Sequence, residues 1–143
     1  MNPACANPTD DTAHSSLRFP KAERLCSKTL IERLYSDGHR FMVFPYSVQW
    51  HVETLDVPCQ VLIVAPKRKF HNAVDRNRVK RLTRECYRHL KNNLFDFLCE
   101  RGISITLSMV YVHTEILSYE KLYSRIEKVT SLLMSEIANE ESV

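Results

Sequence analysis

Apolar and polar residues recur along the chain with two different periods, and the period predicts the structure of each segment. Apolar residues recur at helical spacing over residues 21–37, 74–99 and 118–138, which predicts three helices. Residues 40–53 are typical of extended chain, with strict alternation from Tyr46 after Pro45. Residues 59–65 are apolar on both faces and predict a central strand, and residues 103–112 predict another. Gly38 is expected to end the first helix because it tolerates positive φ.

This order of helix, strands, long helix, strand and helix predicts an α+β fold, a two-layer α/β sandwich with a mixed sheet. The general rule for strand–helix–strand connections makes the crossover right-handed. A length of 143 residues suits one domain, expected at residues 17–138. Residues 1–16 are polar and contain two prolines, which predicts a disordered tail, and residues 139–143 are expected to form a C-terminal tail.

The basic residues are concentrated in one segment. Residues 67–91 contain ten of the 20 Lys and Arg residues but two of the 17 Asp and Glu residues, so the segment carries +8 and the remainder −5. A charge run is usually a solvated helix face, but such faces normally interleave both signs. Here like charges stack on successive turns and repel by a few tenths of a kcal/mol per pair. An external polyanion, most simply nucleic acid, is therefore expected to bind this segment.

The same segment separates its cations from its apolar residues. At about 100° per residue, one arc of roughly 120° holds Arg76, Lys80, Arg84 and Arg88. An apolar stripe lies on the other side of the helix and is expected to face the core, formed by Val79, Leu82, Cys86 and Leu90. Packing of this stripe is expected to direct the cations outward. Arg78 lies off the main basic arc.

Other composition features restrict the function classes. The five cysteines and six histidines lack zinc-ligand spacing, so the cysteines are expected to be free thiols and no metal site is predicted. No carboxylate cluster lies near the basic face, which argues against a stand-alone nuclease that uses two metal ions. The start of the chain lacks a signal-peptide pattern, and the longest aliphatic run, residues 61–65, is too short to cross a bilayer. A soluble, cytoplasmic protein without a membrane partner is expected.

The string AVDRNRVKRL at residues 73–82, followed by Arg84 and Glu85, resembles the RNR signature of the bacterial ribonuclease P protein component. The motifs FPK at residues 19–21, ERL at 23–25 and PKRK at 66–69 resemble the same family, so the likeness runs from about Phe19 to Leu133. The resemblance implies the order αβββαβα. It also implies a left-handed βαβ crossover, which we adopt over the general rule.

The resemblance further implies that the protein joins a large catalytic RNA, and that together they hydrolyse the bond between the 5′ leader and precursor tRNA. The RNA is expected to hold the Mg²⁺ ions and to perform the chemistry, so no residue of this chain is expected to be catalytic. No obligate protein partner is implied. The RNA-binding residues implied by the signature, the basic loop and the continuing helix face are Lys67, Arg68, Lys69, Arg76, Asn77, Arg78, Lys80, Arg81, Arg84 and Arg88.

The family also binds the single-stranded leader between its first helix and the sheet, with aromatic residues on that helix. Tyr35 matches one such position, and it is equally well explained as a half-buried core residue. Ile31 occupies the other position and cannot stack as an aromatic ring does, so either the leader contact is weaker or another ring substitutes. Gln49, with Ser47 and His51 on the polar strand face, is a candidate for lining this cleft.

A non-catalytic RNA-binding protein of ribosomal or chaperone type on the same fold is the alternative to the ribonuclease P subunit. Charge and fold alone do not separate the two classes. The RNR string favours the ribonuclease P subunit.

Overall fold

The computed structural model describes residues 20–142, so the predicted tail at residues 1–16 lies outside the described part of the chain. The predicted α+β class and the order αβββαβα are confirmed. A one-turn 3₁₀ helix at Lys21–Glu23 comes first. The main elements are α1 (Lys28–Asp37), β1 (His39–Val43), β2 (Tyr46–Glu53), β3 (Cys59–Val64), α2 (Ala73–Arg101), β4 (Ser104–Tyr111) and α3 (Tyr119–Ser142).

The four strands form one mixed sheet in the order β1-β2-β4-β3. β1 pairs with β2 and β2 pairs with β4 in antiparallel fashion, whereas β3 and β4 are parallel. Parallel neighbours need a crossover connection, and the long helix α2 supplies it. The β3–α2–β4 unit is therefore the βαβ unit that the sequence predicts; its left-handed crossover stays a prediction.

The core lies between one face of the sheet and helices α2 and α3. Tyr46, Val48 and Trp50 of β2 are buried on this face and pair across the sheet with buried residues of β4. The polar atoms of Tyr46 and Trp50 form hydrogen bonds with the two helices that cover this face. The Tyr46 hydroxyl lies 2.8 Å from the Thr83 hydroxyl of α2, and Trp50 Nε1 donates to Glu136 of α3 at 3.0 Å. These contacts fix both helices on the apolar face.

The opposite face of the sheet is mostly polar and carries α1 over β2 and β4. The predicted alternation of β2 places Ser47, Gln49 and His51 on this face. β4 adds Thr106 and Ser108, which alternate with the apolar residues of the core side. Leu34 of α1 is fully buried and supplies the apolar contact of the helix with the sheet. On this face Gln49, Thr106 and Ser108 are buried, whereas Ser47 and His51 remain partly exposed.

The first helix is shorter than predicted. The prediction extended it over residues 21–37, but α1 begins only at Lys28, where the Ser27 hydroxyl caps the backbone N–H of Leu30 at 3.4 Å. Between the 3₁₀ turn and Ser27 the chain runs along the edge of β3, where the Leu25 N–H donates to the Val61 carbonyl at 2.9 Å. Pairing with an edge strand and capping at Ser27 together override the helical period of this segment.

Gly38 ends α1 as predicted, but the predicted reason is wrong. Its φ is −72°, in the range that other residues adopt. A Cβ atom at this position would lie 2.2 Å from the Leu34 carbonyl oxygen and 3.0 Å from the Trp50 carbonyl oxygen. Glycine is therefore required here because any side chain would clash with these carbonyl oxygens. Within residues 20–142 positive φ occurs instead at Gly102, at 66°, where it ends α2 in the left-handed conformation.

Both later helices extend past their predicted ends. α2 reaches Arg101, two residues beyond residue 99, and α3 reaches Ser142, so residues 139–142 continue a helix that was predicted to end at residue 138. These residues include no proline or glycine that would stop the helix. None of the helices in the described part of the chain is long and apolar enough to cross a membrane.

The cysteine prediction is partly wrong. Cys26, Cys59 and Cys86 are free thiols, as expected. Cys99 takes part in a disulfide. Spacing along the chain carries no information on which cysteines come together in space.

Candidate RNA interface

The exposed side of α2 presents a group of cations. Arg78, Arg81 and Arg84 are exposed and Lys80 is partly exposed, with Asn77 exposed between them. Among the described residues, none of these four cations forms an ion pair or a side-chain hydrogen bond. We call these four residues the α2 cation group. Their charge is not neutralised within the described chain, which suits them to bind an anion.

The buried side of α2 is broader than the predicted apolar stripe. Val79, Cys86 and Leu90 are buried and Leu82 is partly buried, so the stripe is confirmed. Five further residues of α2 are buried, and these are Thr83, Tyr87, Lys91, Leu94 and Leu98. They shift the centre of the buried side toward Arg76, which turns Arg78 toward solvent. Arg78, which lies off the arc predicted from the sequence, thus belongs to the exposed group.

Arg76 has a structural role that the sequence did not predict. Its Nη1 donates to the carbonyl oxygens of Phe70 and His71, both at 2.9 Å, and its side chain is only partly exposed. Hydrogen bonds from a guanidinium to two carbonyls fix the end of the preceding loop against the start of α2. Arg76 therefore holds the loop in place in addition to contributing positive charge.

The basic loop, residues 67–69, is a tight turn. The Pro66 carbonyl accepts from the N–H groups of Lys69 at 3.1 Å and of Phe70 at 3.2 Å. Phe70 is buried, and its ring lies 5.8 Å from that of Tyr111. Anchoring at both ends leaves Lys67 and Arg68 exposed and Lys69 partly exposed beside the first turn of α2. The predicted loop is thus held at the start of the helix that carries the α2 cation group.

Arg88 is not an isolated cation. Its Nη2 donates to Glu85, and His89 Nε2 lies 3.3 Å from the same carboxylate oxygen. The hydrogen bond from Arg88 lowers the pKa of Glu85, and Glu85 in turn raises the pKa of Arg88. The carboxylate therefore neutralises part of the predicted basic face at this turn.

Lys91 lies at the end of the charge-rich segment but is buried, with 1% of its surface exposed. Its Nζ donates to Glu23 Oε1 at 2.6 Å and lies 5.4 Å from the centre of the Phe95 ring. Burial raises the pKa of Glu23, while the hydrogen bond from Lys91 opposes that shift. This lysine serves the fold: it fastens the 3₁₀ turn to α2, and it adds no charge to the surface.

The residues predicted to line the leader cleft lie between α1 and the polar face of the sheet. Tyr35 is 41% exposed, and its hydroxyl lies 2.8 Å from the Ser108 hydroxyl. Gln49 is buried directly beside Ser108, since the two residues are register partners, and Ile31 is partly buried. Tyr35 is thus anchored at its hydroxyl while much of its ring remains open, a state between the two interpretations left open by the sequence.

Sequence reasoning missed two polar contributors to this face. Ser108 holds the Tyr35 hydroxyl, and Glu53 accepts from Arg33 Nη1 at 3.1 Å with His51 Nε2 3.7 Å from its other carboxylate oxygen. The signal for Ser108 was available, because serine and threonine alternate with large apolar residues along β4. The Glu53 contacts join α1 to the far end of β2 and could not be recognised from local sequence.

Within residues 20–142, no three His, Cys, Asp or Glu side chains come together in an arrangement that could hold a metal ion.

Comparisons with known proteins connect this geometry to a family. The family model described as Ribonuclease P matches residues 19–131. The ribonuclease P protein component of Porphyromonas gingivalis is 33% identical over 119 residues, which cover 82% of this chain and 87% of that protein. Its counterpart from Chlorobaculum tepidum is 41% identical over 81 residues, 53% of each chain.

Solved structures show the same fold. The RNase P protein of Staphylococcus aureus has a TM-score of 0.65 at 19% identity, with 79% of this chain and 96% of that chain covered. The RNase P protein of Thermotoga maritima has a TM-score of 0.58 at 16% identity, with 76% and 94% covered. The match to the Ribonuclease P family model covers both α1 and α2, and it favours the ribonuclease P subunit over the ribosomal-type alternative. The chain therefore belongs to the family of ribonuclease P protein components, which associate with an RNA subunit in the ribonuclease that processes the 5′ end of tRNA.

Proposed function

We propose that the α2 cation group and the loop of residues 67–69 form the surface that binds the catalytic RNA subunit. The observation that carries this proposal is the contrast in partners along α2. Arg78, Lys80, Arg81 and Arg84 are accessible and have no ionic partner among the described residues, whereas Lys91 is fully committed to Glu23. Arginine suits RNA because its planar guanidinium binds phosphate through two hydrogen bonds and stacks on bases.

The cleavage chemistry is assigned to the RNA in this proposal, including the Mg²⁺ ions. The protein supplies a shaped cationic surface, which lowers the repulsion between the two RNA molecules that must approach each other. The second part of the proposal concerns the substrate. The cleft between α1 and the sheet, with Tyr35 and Gln49, binds the 5′ leader of precursor tRNA.

Tyr35 is the residue of this cleft best suited to a base. A nucleobase can stack on the exposed part of its ring, because the hydroxyl is held in place by Ser108. Ile31 provides an apolar edge without a π face, so this chain is expected to rely on one aromatic ring of α1.

Reconstitution of the holoenzyme tests the first part. The full chain is combined with the candidate RNA subunit and precursor tRNA, and the 5′-mature tRNA product is measured at low Mg²⁺. The protein is expected to raise the cleavage rate, and its affinity for the RNA is expected to fall about a thousandfold between about 50 and 200 mM salt if six or so phosphates are contacted. A salt-independent affinity would rule out the cationic surface as the binding site. Cleavage by the protein alone would contradict the assignment of the chemistry to RNA.

The substrate part has its own test. Tyr35→Leu removes the ring and Tyr35→Phe removes only the hydroxyl contact with Ser108. Affinity of the holoenzyme is compared for precursor tRNA with a leader and for mature tRNA without one. Tyr35→Leu is expected to reduce the preference for the leader about tenfold, within the range of a lost base stack, and Tyr35→Phe to retain most of it. An unchanged preference in Tyr35→Leu would place the leader elsewhere.

A further inference from the structure

A second row of cations lies on α3. Lys121, Arg125 and Lys128 follow the spacing i, i+4, i+7, which places them on one side of the helix over about 10 Å. All three are exposed, and within residues 20–140 they form no ion pair with a side chain. Glu120 and Glu127 flank the row without pairing to it. Adjacent like charges on one helix face repel, so an uncompensated row of this kind favours an external anion.

An exposed aromatic ring stands at the start of this row. Phe44, in the turn between β1 and β2, is 50% exposed, although burial of such a ring would ordinarily stabilise the fold by roughly 1.5–3 kcal/mol. Its ring lies 5.0 Å from that of His113 at an angle of 57°. Phe44, Lys121 and Arg125 line one open hollow of about 560 Å³, together with Leu117, Glu120 and Ser124. The hollow therefore offers a ring face beside two cations.

This surface adjoins α2. The start of α3 is fixed to α2 by the contact between Cys86 Sγ and the Tyr119 carbonyl oxygen at 3.9 Å. Arg125 also borders a second hollow, of about 460 Å³, which Leu90 and Asn93 of α2 line from the other side. The turn that carries Phe44 is held close to α2, because Tyr46, two residues later, forms a hydrogen bond with Thr83 of α2. The α3 row thus lies next to α2, across the seam between the two helices.

We infer that Phe44, Lys121, Arg125 and Lys128 form a second RNA contact, which binds an unpaired nucleotide and its neighbouring phosphates. A base stacks on Phe44, and the phosphates lie along the three cations of α3. Stacking together with a cationic track is how proteins bind single-stranded nucleic acid, and a single base stack contributes about 1–3 kcal/mol. RNA is chosen over an acidic protein because the chain is an RNA-associated subunit and the surface joins the α2 side. The inference shares with the proposed function only the identity of the partner as RNA.

Direct binding tests this site. The probe is a fluorescently labelled oligouridine, with the native RNA subunit as a second probe, and the full chain is titrated at several salt concentrations. Phe44→Leu keeps an apolar side chain but removes the π face, and a five- to tenfold loss of affinity for oligouridine is expected, with an unchanged salt slope. Phe44→Trp retains the π face, and affinity is expected to be kept. Lys121→Gln with Arg125→Gln is expected to lower affinity about tenfold and to flatten the slope of log affinity against log salt by about two.

Met42→Ala is the matched control, since Met42 is also an exposed apolar residue of the β1–β2 hairpin, at 60% exposure, and is not among the residues lining the hollow. It is expected to bind as the unaltered chain does. Thermal unfolding by circular dichroism confirms that each variant folds. Equal affinity of Phe44→Leu, Phe44→Trp and the unaltered chain would overturn the inference. So would a dimer in sedimentation that Phe44→Leu dissociates, because the surface would then join two copies.

The proposed RNA surface on α2 and the inferred RNA contact on α3 can be disproved independently of each other. If Arg81→Ala with Arg84→Ala abolishes binding of the native RNA while the α3 variants change neither probe, the inference falls and the proposed function stands. If the α3 variants weaken binding and the α2 variant does not, the inference stands and the proposed surface is wrong.

Discussion

The two halves of α2 carry similar residues and use them in opposite ways. In the first half, Arg78, Arg81 and Arg84 point to solvent without an ionic partner among the described residues. In the second half, Lys91 is buried against Glu23, and the Arg101 guanidinium lies 3.9 Å from the centre of the Phe97 ring. Charge density along a segment therefore does not locate a binding surface. The partner of each cation inside the protein decides whether it is available to a ligand.

The largest expected effect comes from removing the buried cation. Lys91→Met retains the aliphatic stem and deletes the ammonium, which leaves the Glu23 carboxylate in a largely buried site without its partner. The free energy of unfolding is expected to fall by about 3 kcal/mol, as for other broken buried pairs. Urea denaturation at pH 7 measures the loss, and affinity of the folded variant for RNA is expected to be unchanged.

The pH dependence of this loss has a definite sign. A carboxyl whose folded-state pKa is raised contributes stability below its unfolded pKa and loses it as pH rises through the folded value. Burial raises the pKa of Glu23, and Lys91 counteracts that shift, so its removal raises the pKa further. The defect of Lys91→Met is therefore expected to shrink as pH falls toward 4. In the control, Glu23→Leu with Lys91→Met recovers most of the stability. A loss that did not vary with pH would show that Glu23 plays no part.

The second effect is on the exposed half of the helix. Arg81→Ala with Arg84→Ala removes two cations that contact no core residue. Affinity for the RNA subunit is expected to fall ten- to a hundredfold at about 0.1 M salt, and the salt slope to decrease by about two, because two phosphate contacts are lost. Titration by filter binding measures both quantities. The urea midpoint should match that of the unaltered chain; a lower midpoint would mean that these residues also support the fold.

Removal of Arg76 is expected to lower both the stability of the fold and the affinity for RNA. Arg76→Ala deletes the hydrogen bonds to the Phe70 and His71 carbonyls, and a partly exposed bond of this kind contributes about 1 kcal/mol. Unfolding free energy is expected to fall by about that amount, with a several-fold loss of RNA affinity as the loop of residues 67–69 loosens. Arg76→Lys preserves the charge but removes the planar guanidinium, whose Nη1 makes both contacts. Full stability in Arg76→Lys would show that an ammonium can replace it, whereas full stability in Arg76→Ala would show that the two carbonyl contacts do not support the fold.

The smallest expected effect is an increase in affinity for RNA. Glu85 neutralises Arg88 and contacts His89 on the exposed side of α2. Glu85→Gln removes the carboxylate that pairs with Arg88 and with it a negative charge of the surface, so affinity for RNA is expected to rise two- to threefold and the salt slope to steepen slightly. Isothermal titration at two salt concentrations resolves this change. A decrease in affinity would indicate that the Glu85–Arg88 pair positions a residue that RNA contacts.

Local pattern predicted the parts of this structure that depend on near neighbours in sequence. The element order, the alternation of β2 and the stripe of Val79, Leu82, Cys86 and Leu90 follow from periods of two and 3.6 residues, and all are confirmed. The RNR string then identified the family, which the comparisons confirm.

Contacts distant in sequence account for what was missed. Lys91 meets Glu23 across 68 positions, and Tyr35 meets Ser108 across 73. The true start of α1 depends on the pairing of Leu25 with Val61. A helical period shows which side of a helix is apolar. It does not show whether a lysine on the border of that side finds a carboxylate in the core.

Gly38 has a mechanical consequence for the proposed leader cleft. It is the only residue between the end of α1 at Asp37 and the start of β1 at His39, and its backbone lies against the carbonyl oxygens of Leu34 and Trp50. A helix joined to a strand through one tightly fitted residue has no linker that can swing. The position of α1 over the sheet is thereby fixed, so a leader bound between the two would meet a preformed site and little ordering entropy would be lost on binding. In Gly38→Ala, one added methyl group would displace α1 relative to the sheet. The proposed leader site would then change although no residue proposed to contact the leader is altered.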